Sequence, residues 1–201
     1  MELRSIFIVI SSLLALVSPL VYSHSILKGK SKPHRTTRFV LVLITSLATA
    51  SLFAQGNRVA IWLAAVSTIQ SVIIFTLSLK FGMGGWSRSD IFCLILALAG
   101  VLFWQTTSNP IIGLYFSILA DFTGMIPAII KTYKFPKTEI WSFHALDVFA
   151  AFFSLLAITS WTMQEYSYPL YIMIINAVMA MLIVRPKRRG LFLTHFFIIF
   201  K

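Results

Sequence analysis

Three ionisable side chains, Asp121, His144 and Asp147, lie in stretches of this sequence that are otherwise almost wholly apolar. His144 and Asp147 are three positions apart, so a helix places them on one face. Ionisable groups inside a membrane are costly, and they usually face a bundle interior or a water-filled cavity. The three residues therefore predict a proton or cation site. A structural polar cluster that joins two helices is the alternative.

The groups that could neutralise these two acids limit the kinds of site that they can form. The apolar stretches contain no Lys or Arg at membrane depth that could pair with Asp121 or Asp147. Protonation, contact between the two acids, His144 or a bound cation remain as means of neutralisation. We therefore expect the two acids to share one cavity with Asn176. We also expect any transport through that cavity to depend on pH.

Two amide side chains, Gln70 and Asn176, recur at matching places in the chain. Trp62 precedes Gln70 by eight residues, and Tyr168 precedes Asn176 by eight. An amide group offers both a donor and an acceptor, which suits a polar, hydroxylated or heterocyclic ligand. The pattern predicts that Gln70 and Asn176 line a substrate pocket, with a hydrogen bond between helices as the alternative.

Aromatic residues and prolines complete the candidate set. Trp62 and Tyr168 fall near the ends of their apolar stretches, which is typical of an interfacial aromatic belt. Trp104 fits the same belt and, alternatively, a wall of the substrate pocket. Pro19 and Pro127 interrupt the helical hydrogen-bond ladder at matching places and predict hinges at a gate.

The sequence lacks the patterns typical of enzymes and metal sites. Cys93 is the only cysteine, so there is neither a disulfide framework nor a cysteine-based metal motif. No nucleophilic triad, glycosidase-like carboxylate pair or metal-ligand spacing is present. We expect no catalytic residue, no metal and no cofactor.

The elements that must position these residues are membrane helices. Hydrophobic residues make up 58% of the 201 positions and charged residues 11%, and the mean hydropathy is +0.88. Backbone groups in lipid must be paired internally, and the apolar runs are too long and too unalternating for barrel strands. A helix needs ~20 apolar residues to cross the bilayer. We predict an all-α integral membrane protein with seven transmembrane helices, at roughly 4–27, 38–55, 58–80, 89–106, 109–131, 139–161 and 166–184.

The basic residues predict the orientation. Fifteen of the 17 Lys and Arg residues fall in alternate connections and in the C-terminal tail. Cytoplasmic loops carry the excess of positive charge, so the N-terminus is expected outside and the C-terminus in the cytoplasm. The first span is interpreted as a helix and not as a cleaved signal, because it has a counterpart later in the chain. The fifteen are Lys28, Lys30, Lys32, Arg35, Arg38, Lys80, Arg88, Lys131, Lys134, Lys137, Arg185, Lys187, Arg188, Arg189 and Lys201.

The net charge of +11 indicates a lipid partner more than a nucleic acid. The charges sit in short turns at membrane borders, where they meet anionic lipids of the cytoplasmic face. We expect a multi-pass protein of the cell membrane, in bacteria the inner membrane, with a small-molecule substrate and no nucleic acid. Whether it forms a homo-oligomer is left open.

An internal repeat organises the spans. The stretches 19–39 and 127–143 each contain a proline near the end of a span, a basic turn that also holds proline, and the start of a new span. Both copies begin on the same side, so we predict two parallel repeats related by an axis along the membrane normal. The predicted units are a first triple-helix bundle at 1–80, a linker helix at 81–108, a second bundle at 109–184 and a basic cytoplasmic or interfacial tail at 185–201.

This three-one-three arrangement, with a proline in the first helix of each repeat, resembles the SWEET and PQ-loop transporter superfamily and an uncharacterised bacterial branch near it. The resemblance covers 4–184. Leu20 and Ala128 follow Pro19 and Pro127, where the PQ motif has glutamine. The resemblance implies a central pocket lined by an asparagine of the last helix, and Asn176 matches that asparagine. The expected function is alternating-access transport of a small polar solute, whether a sugar, a nucleoside-like or vitamin-like molecule or a cation, and coupling of this transport to protons is left open. A membrane receptor or assembly factor on the same fold is the alternative.

Overall fold

The computed structural model describes residues 2–31, 33–82, 85–86 and 88–185. The predicted basic tail therefore lies outside the described residues, apart from Arg185. Among the described residues the chain forms seven α-helices and one 3₁₀ turn, with no β-strand. The elements are α1 (Glu2–Leu27), α2 (Arg35–Ala54), α3 (Ala60–Phe81), α4 (Arg88–Thr107), α5 (Pro110–Lys134), the 3₁₀ turn (Pro136–Thr138), α6 (Trp141–Leu156) and α7 (Met163–Val184).

The helices have the length and composition of membrane spans. Within the described ranges, α1 to α5 and α7 are long and apolar enough to cross a bilayer. These features confirm the all-helical prediction and indicate a multi-pass membrane protein. The exception is α6, which has 16 residues and is therefore ~24 Å long. It is shorter than the predicted span at 139–161, because the chain turns away after Leu156.

Although α6 is short, it crosses most of the depth of the bundle. The ring of Phe143, at its start, lies 4.9 Å from that of Tyr22. The ring of Phe153, near its end, lies 6.0 Å from that of Phe7. The helix α6 thus runs antiparallel to α1 from the level of residue 22 to the level of residue 7.

Local sequence explains where several helices begin and end. The Asn57 side chain accepts hydrogen bonds from the backbone N–H groups of Val59 at 3.0 Å and Ala60 at 2.8 Å, which starts α3. Asn109 caps α5 in the same way, with Pro110 in the first turn. Gly56, just after α2, has a φ of +67°, a left-handed conformation that favours glycine.

In chain order we term α1 to α3 the first group and α5 to α7 the second group, with α4 between them in the chain. In the first group α3 packs against both α1 and α2, and in the second α7 packs against both α5 and α6. The groups meet through α1 on α6 and α2 on α5, while α4 packs on α5 and α2. The space between the two groups is therefore bordered by six helices.

Contacts between helix ends gather the basic residues at one end of the bundle, here termed the basic end. Arg35 Nε donates to the carbonyl of Ser78 at 3.1 Å, linking the start of α2 to the end of α3. Thr37 donates to Asp90 at the start of α4 at 2.7 Å. Arg185 donates to the carbonyl of Tyr133, linking the ends of α7 and α5.

The half of the bundle away from the basic end is filled by small and apolar side chains. This packed cluster joins α1, α2, α3, α5, α6 and α7, so it closes the space between the two groups on that side. Its buried members are Ala15, Ala48, Leu52, Ala60, Leu63, Ala64, Val66, Leu114, Ala150, Ala151 and Tyr168.

Candidate functional site

A cavity of about 160 Å³ lies between the two groups of helices. All six helices of those groups contribute to its lining, and the described residues of α4 do not. The cavity extends from the packed cluster toward the basic end. Five of the residues singled out from the sequence line it: Gln70, Asp121, His144, Asp147 and Asn176.

Asp147 on α6 is 8% exposed and faces α3 across the space between the two groups. Gln70 Nε2 donates to its Oδ2 at 3.3 Å. Ser18 of α1 is a second polar neighbour of this carboxyl group, and its hydroxyl donates to the Phe143 carbonyl at 3.3 Å. Asp147 thus connects α6 to both α3 and α1, which belong to the other group.

His144 and Asn176 are joined directly. His144 Nδ1 and Asn176 Oδ1 are 2.7 Å apart, and both side chains are buried. Asn176 Nδ2 donates to the Ile172 carbonyl at 3.0 Å, so its oxygen acts as the acceptor. His144 therefore donates through Nδ1, and in the neutral ring Nε2 is left as an acceptor.

Asp121 on α5 has a partner that the sequence interpretation did not include. The hydroxyl of Tyr171 on α7 donates to its Oδ2. Tyr171 could have been found from spacing, because it lies three residues after Tyr168 and one before Ile172, on the stripe of α7 that faces the cavity.

Tyr168 corrects the expectation of an interfacial aromatic. It is 3% exposed and lines the cavity, whereas Trp62, its match in the first half, is 55% exposed. The difference follows from packing, since the face of α7 that carries Tyr168 is covered by the other helices. Among the described residues the Tyr168 hydroxyl is buried and makes no hydrogen bond. Ser67 of α3 lies nearby, but its hydroxyl donates to the Leu63 carbonyl at 2.9 Å.

Charged groups border the cavity toward the basic end. Arg38 donates to the Tyr22 hydroxyl at 3.1 Å, and its guanidinium lies 5.1 Å from the centre of that ring. Glu139 also lines the cavity and pairs with Lys131 at 2.9 Å. The expectation that no basic group is available to the acids is therefore wrong. The helix α2 begins at Arg35, so Arg38 is a helical residue that faces the cavity and not part of a connecting turn.

Three of the residues predicted for the site are not among the described residues that line the cavity. Trp104 is outside the described lining of the cavity and packs instead on Gly113 of α5, where an added Cβ would lie 3.1 Å from its ring. Pro19 is buried within α1 and Pro127 lies within α5, and both helices continue past these positions. The hinge role of the two prolines stays a prediction.

The arrangement can form hydrogen bonds with a molecule in the cavity. In the part of the chain that the structure describes, no group of three His, Cys, Asp or Glu side chains is placed to hold a metal ion. What the cavity offers is a set of buried hydrogen-bonding groups from α3, α5, α6 and α7. Comparisons with family models, with curated proteins and with solved structures find no match.

Proposed function

We propose that this protein is a SWEET-like membrane transporter of a small polar solute, with the cavity between the two helix groups as its substrate site. One observation carries the proposal: Gln70, Asp121, His144, Asp147 and Asn176, on four different helices, line a single cavity. Substrate sites of secondary transporters lie near the bilayer midplane at the interface between repeats. Asp121, His144 and Asp147 then form the proton or cation site.

The proposal includes two parallel three-helix repeats, α1 to α3 and α5 to α7, with α4 as the linker. The packing supports it, because the third helix of each group lies between the first two. The interface of α1 with α6 also corresponds to that of α5 with α2 when the groups are exchanged. Gln70 and Asn176 occupy matching positions and both line the cavity.

The orientation is part of the same proposal. With the basic end in the cytoplasm, the N-terminus lies outside and the C-terminus inside, as expected in a bacterial inner membrane. The packed cluster then closes the cavity on the outside. Transport by alternating access requires that this cluster separate while the cytoplasmic side closes, with Pro19 and Pro127 as the hinges.

Thiol labelling tests whether the cavity is a water-filled path. In a Cys93→Ala background, Ser71→Cys introduces a thiol in the cavity lining, and Val72→Cys places one on the neighbouring exposed, lipid-facing position. A charged thiol reagent should modify the first variant from both sides of the membrane as the protein alternates. It should leave the second unmodified, because lipid excludes the reagent.

The labelling result distinguishes a transporter from the alternative, a membrane receptor or assembly factor. Modification of Ser71→Cys from the cytoplasmic side alone, under every condition, indicates a receptor or assembly factor with a pocket open to one face. Equal modification of the Ser71→Cys and Val72→Cys variants contradicts the assignment of the cavity.

A further inference from the structure

The hydrogen bonds within the cavity use up most of its donors. Tyr171 donates to Asp121, Gln70 donates through Nε2 to Asp147, and His144 donates through Nδ1 to Asn176. The Asn176 amide nitrogen donates to its own helix. These donors are thus committed to the protein's own acceptors, whereas the Arg38 guanidinium has further N–H groups besides the one that Tyr22 accepts.

The groups left for a ligand are mainly acceptors. Among the described contacts, the second carboxyl oxygen of Asp121, Oε1 of Gln70 and Nε2 of His144 have no partner, although all three residues line the cavity. Buried polar atoms are nearly always hydrogen-bonded, so an accessible set of this kind is matched by a donor-rich ligand or by water.

Tyr168 gives a second, independent indication of a ligand. The residue is 3% exposed and lines the cavity beside the packed cluster. Its hydroxyl is enclosed and makes no hydrogen bond in the described structure, and its polar neighbour Ser67 already donates to Leu63, so a ligand in the cavity can supply the missing partner.

The charges of the lining favour a positive ligand. The carboxyl groups of Asp121, Glu139 and Asp147 line the cavity, against the single guanidinium of Arg38. Arg38 donates to the neutral Tyr22 hydroxyl and keeps its positive charge, which acts on Asp121, whereas Glu139 is paired with Lys131. Asp121 receives one described side-chain hydrogen bond, from Tyr171, and Asp147 has Gln70 as a donor and Ser18 as a second polar neighbour, which is little compensation for a carboxylate away from water.

We propose that the cavity binds the ammonium group of a small protonated amine beside Asp147 and Gln70, with Asp121 as a second carboxyl group of the lining and the Tyr168 hydroxyl as a further contact. This inference rests on the proposed function and names its substrate class. An ammonium group supplies three donors and one positive charge, which match the acceptors without a described partner and the excess of carboxyl groups in the lining. A cavity of about 160 Å³ holds a molecule of about six non-hydrogen atoms.

Three probes of similar size and different charge test the inference on the purified full chain in detergent. Ethanolamine is a cation, ethylene glycol is neutral and glycolate is an anion. Ethanolamine should raise the thermal unfolding midpoint in a saturable way, and the other two should leave it unchanged. Equal effects of ethanolamine and ethylene glycol, or stabilisation by glycolate alone, overturn the proposal.

Two conservative variants test whether ethanolamine binds in the cavity. Tyr168→Phe removes only the buried hydroxyl and should weaken ethanolamine binding by about tenfold, the size of one hydrogen bond to a charged group. Tyr115→Phe is the matched control, since the Tyr115 hydroxyl contacts Ser167 on an exposed face. Weakening in both variants, or in neither, contradicts the assignment of the site.

Tracer uptake into proteoliposomes separates this inference from the proposed function. Stabilisation by ethanolamine without uptake of any amine supports the amine site and refutes transport. Uptake of a neutral solute such as a sugar, with no response to ethanolamine, supports transport and overturns the amine site.

Discussion

At the scale of single residues, the distribution of buried acids is the feature that most needs a function. In the predicted repeat Leu13 aligns with Asp121 and Leu43 with Asp147, but these leucines are 56% and 37% exposed, whereas the two acids line the cavity. An acid near a helix centre costs ~2.5–3.5 kcal/mol on membrane insertion scales, so two of them indicate a use.

The substitution Asp147→Asn tests whether this acid takes part in substrate binding and proton exchange. The substitution keeps the shape of the side chain and removes its charge, so the protein should fold while amine uptake falls by about tenfold or more. The pH response of uptake should also flatten, because one of the groups that exchanges a proton is gone. Uptake is measured in proteoliposomes across a pH series. The titratable groups facing the same cavity are Tyr22, Arg38, Asp121, Glu139, His144, Tyr168 and Tyr171.

Asp90→Asn is the control for this experiment. Asp90 is also a buried acid, 3% exposed, but it lies at the start of α4 and accepts a hydrogen bond from Thr37. The variant should lower thermal stability and leave the pH profile of uptake unchanged. Asp147→Asn protein with wild-type uptake at every pH would remove Asp147 from the coupling site.

At the scale of helices, α4 and α5 approach closely at glycine. A Cβ added to Gly100 of α4 would lie 2.6 Å from Phe116 Cβ and 3.2 Å from Leu47 Cδ2. Contacts this short force the helices apart. Gly100 therefore sets the distance at which α4 packs on α5 and α2, and small residues serve this purpose widely in membrane bundles.

Gly100→Ala should destabilise the bundle by about 1–3 kcal/mol through overpacking. Gly124→Ala, at the same interface, is the matched variant. Its Cβ would meet only Cys93 Sγ, at 3.3 Å. The gain in helix propensity from Gly to Ala should make that variant neutral or slightly more stable. Thermal unfolding in one detergent compares the two, and equal midpoints would contradict the close approach.

At the scale of the whole molecule, the number of crossings decides the orientation. Six described helices are long enough to span a bilayer by themselves, and α6 is shorter. Because α6 runs along α1 from residue 22 to residue 7, we count it as a crossing. With α6 as a crossing, the prediction is seven crossings and termini on opposite sides of the membrane.

Fused reporters measure this directly. A fluorescent protein that folds only in the cytoplasm, fused after Arg189, should fluoresce, and a protease-sensitive tag ahead of Glu2 should be cleaved from outside. The basic loops predict both results. Both termini on one side would show that α6 does not cross, and the seven-span arrangement would then be wrong.

The sequence by itself determined the helical class, the approximate spans and the polar residues worth examining, because each is a local property. Long apolar runs specify helices in lipid, and Asp121, His144 and Asp147 stand out against apolar neighbours whatever their surroundings. Asn57 and Asn109 likewise mark helix starts through bonds to residues two or three positions away.

The tertiary structure decided which of these residues meet, because that depends on helix rotation and on packing between distant segments. The pairing of Asp121 with Tyr171, the burial of Tyr168 and the turning of Arg38 into the cavity all depend on how α2, α5 and α7 face the space between the groups. A residue's place along its helix says how deep it lies, but only its neighbours decide whether that face meets lipid, protein or a cavity.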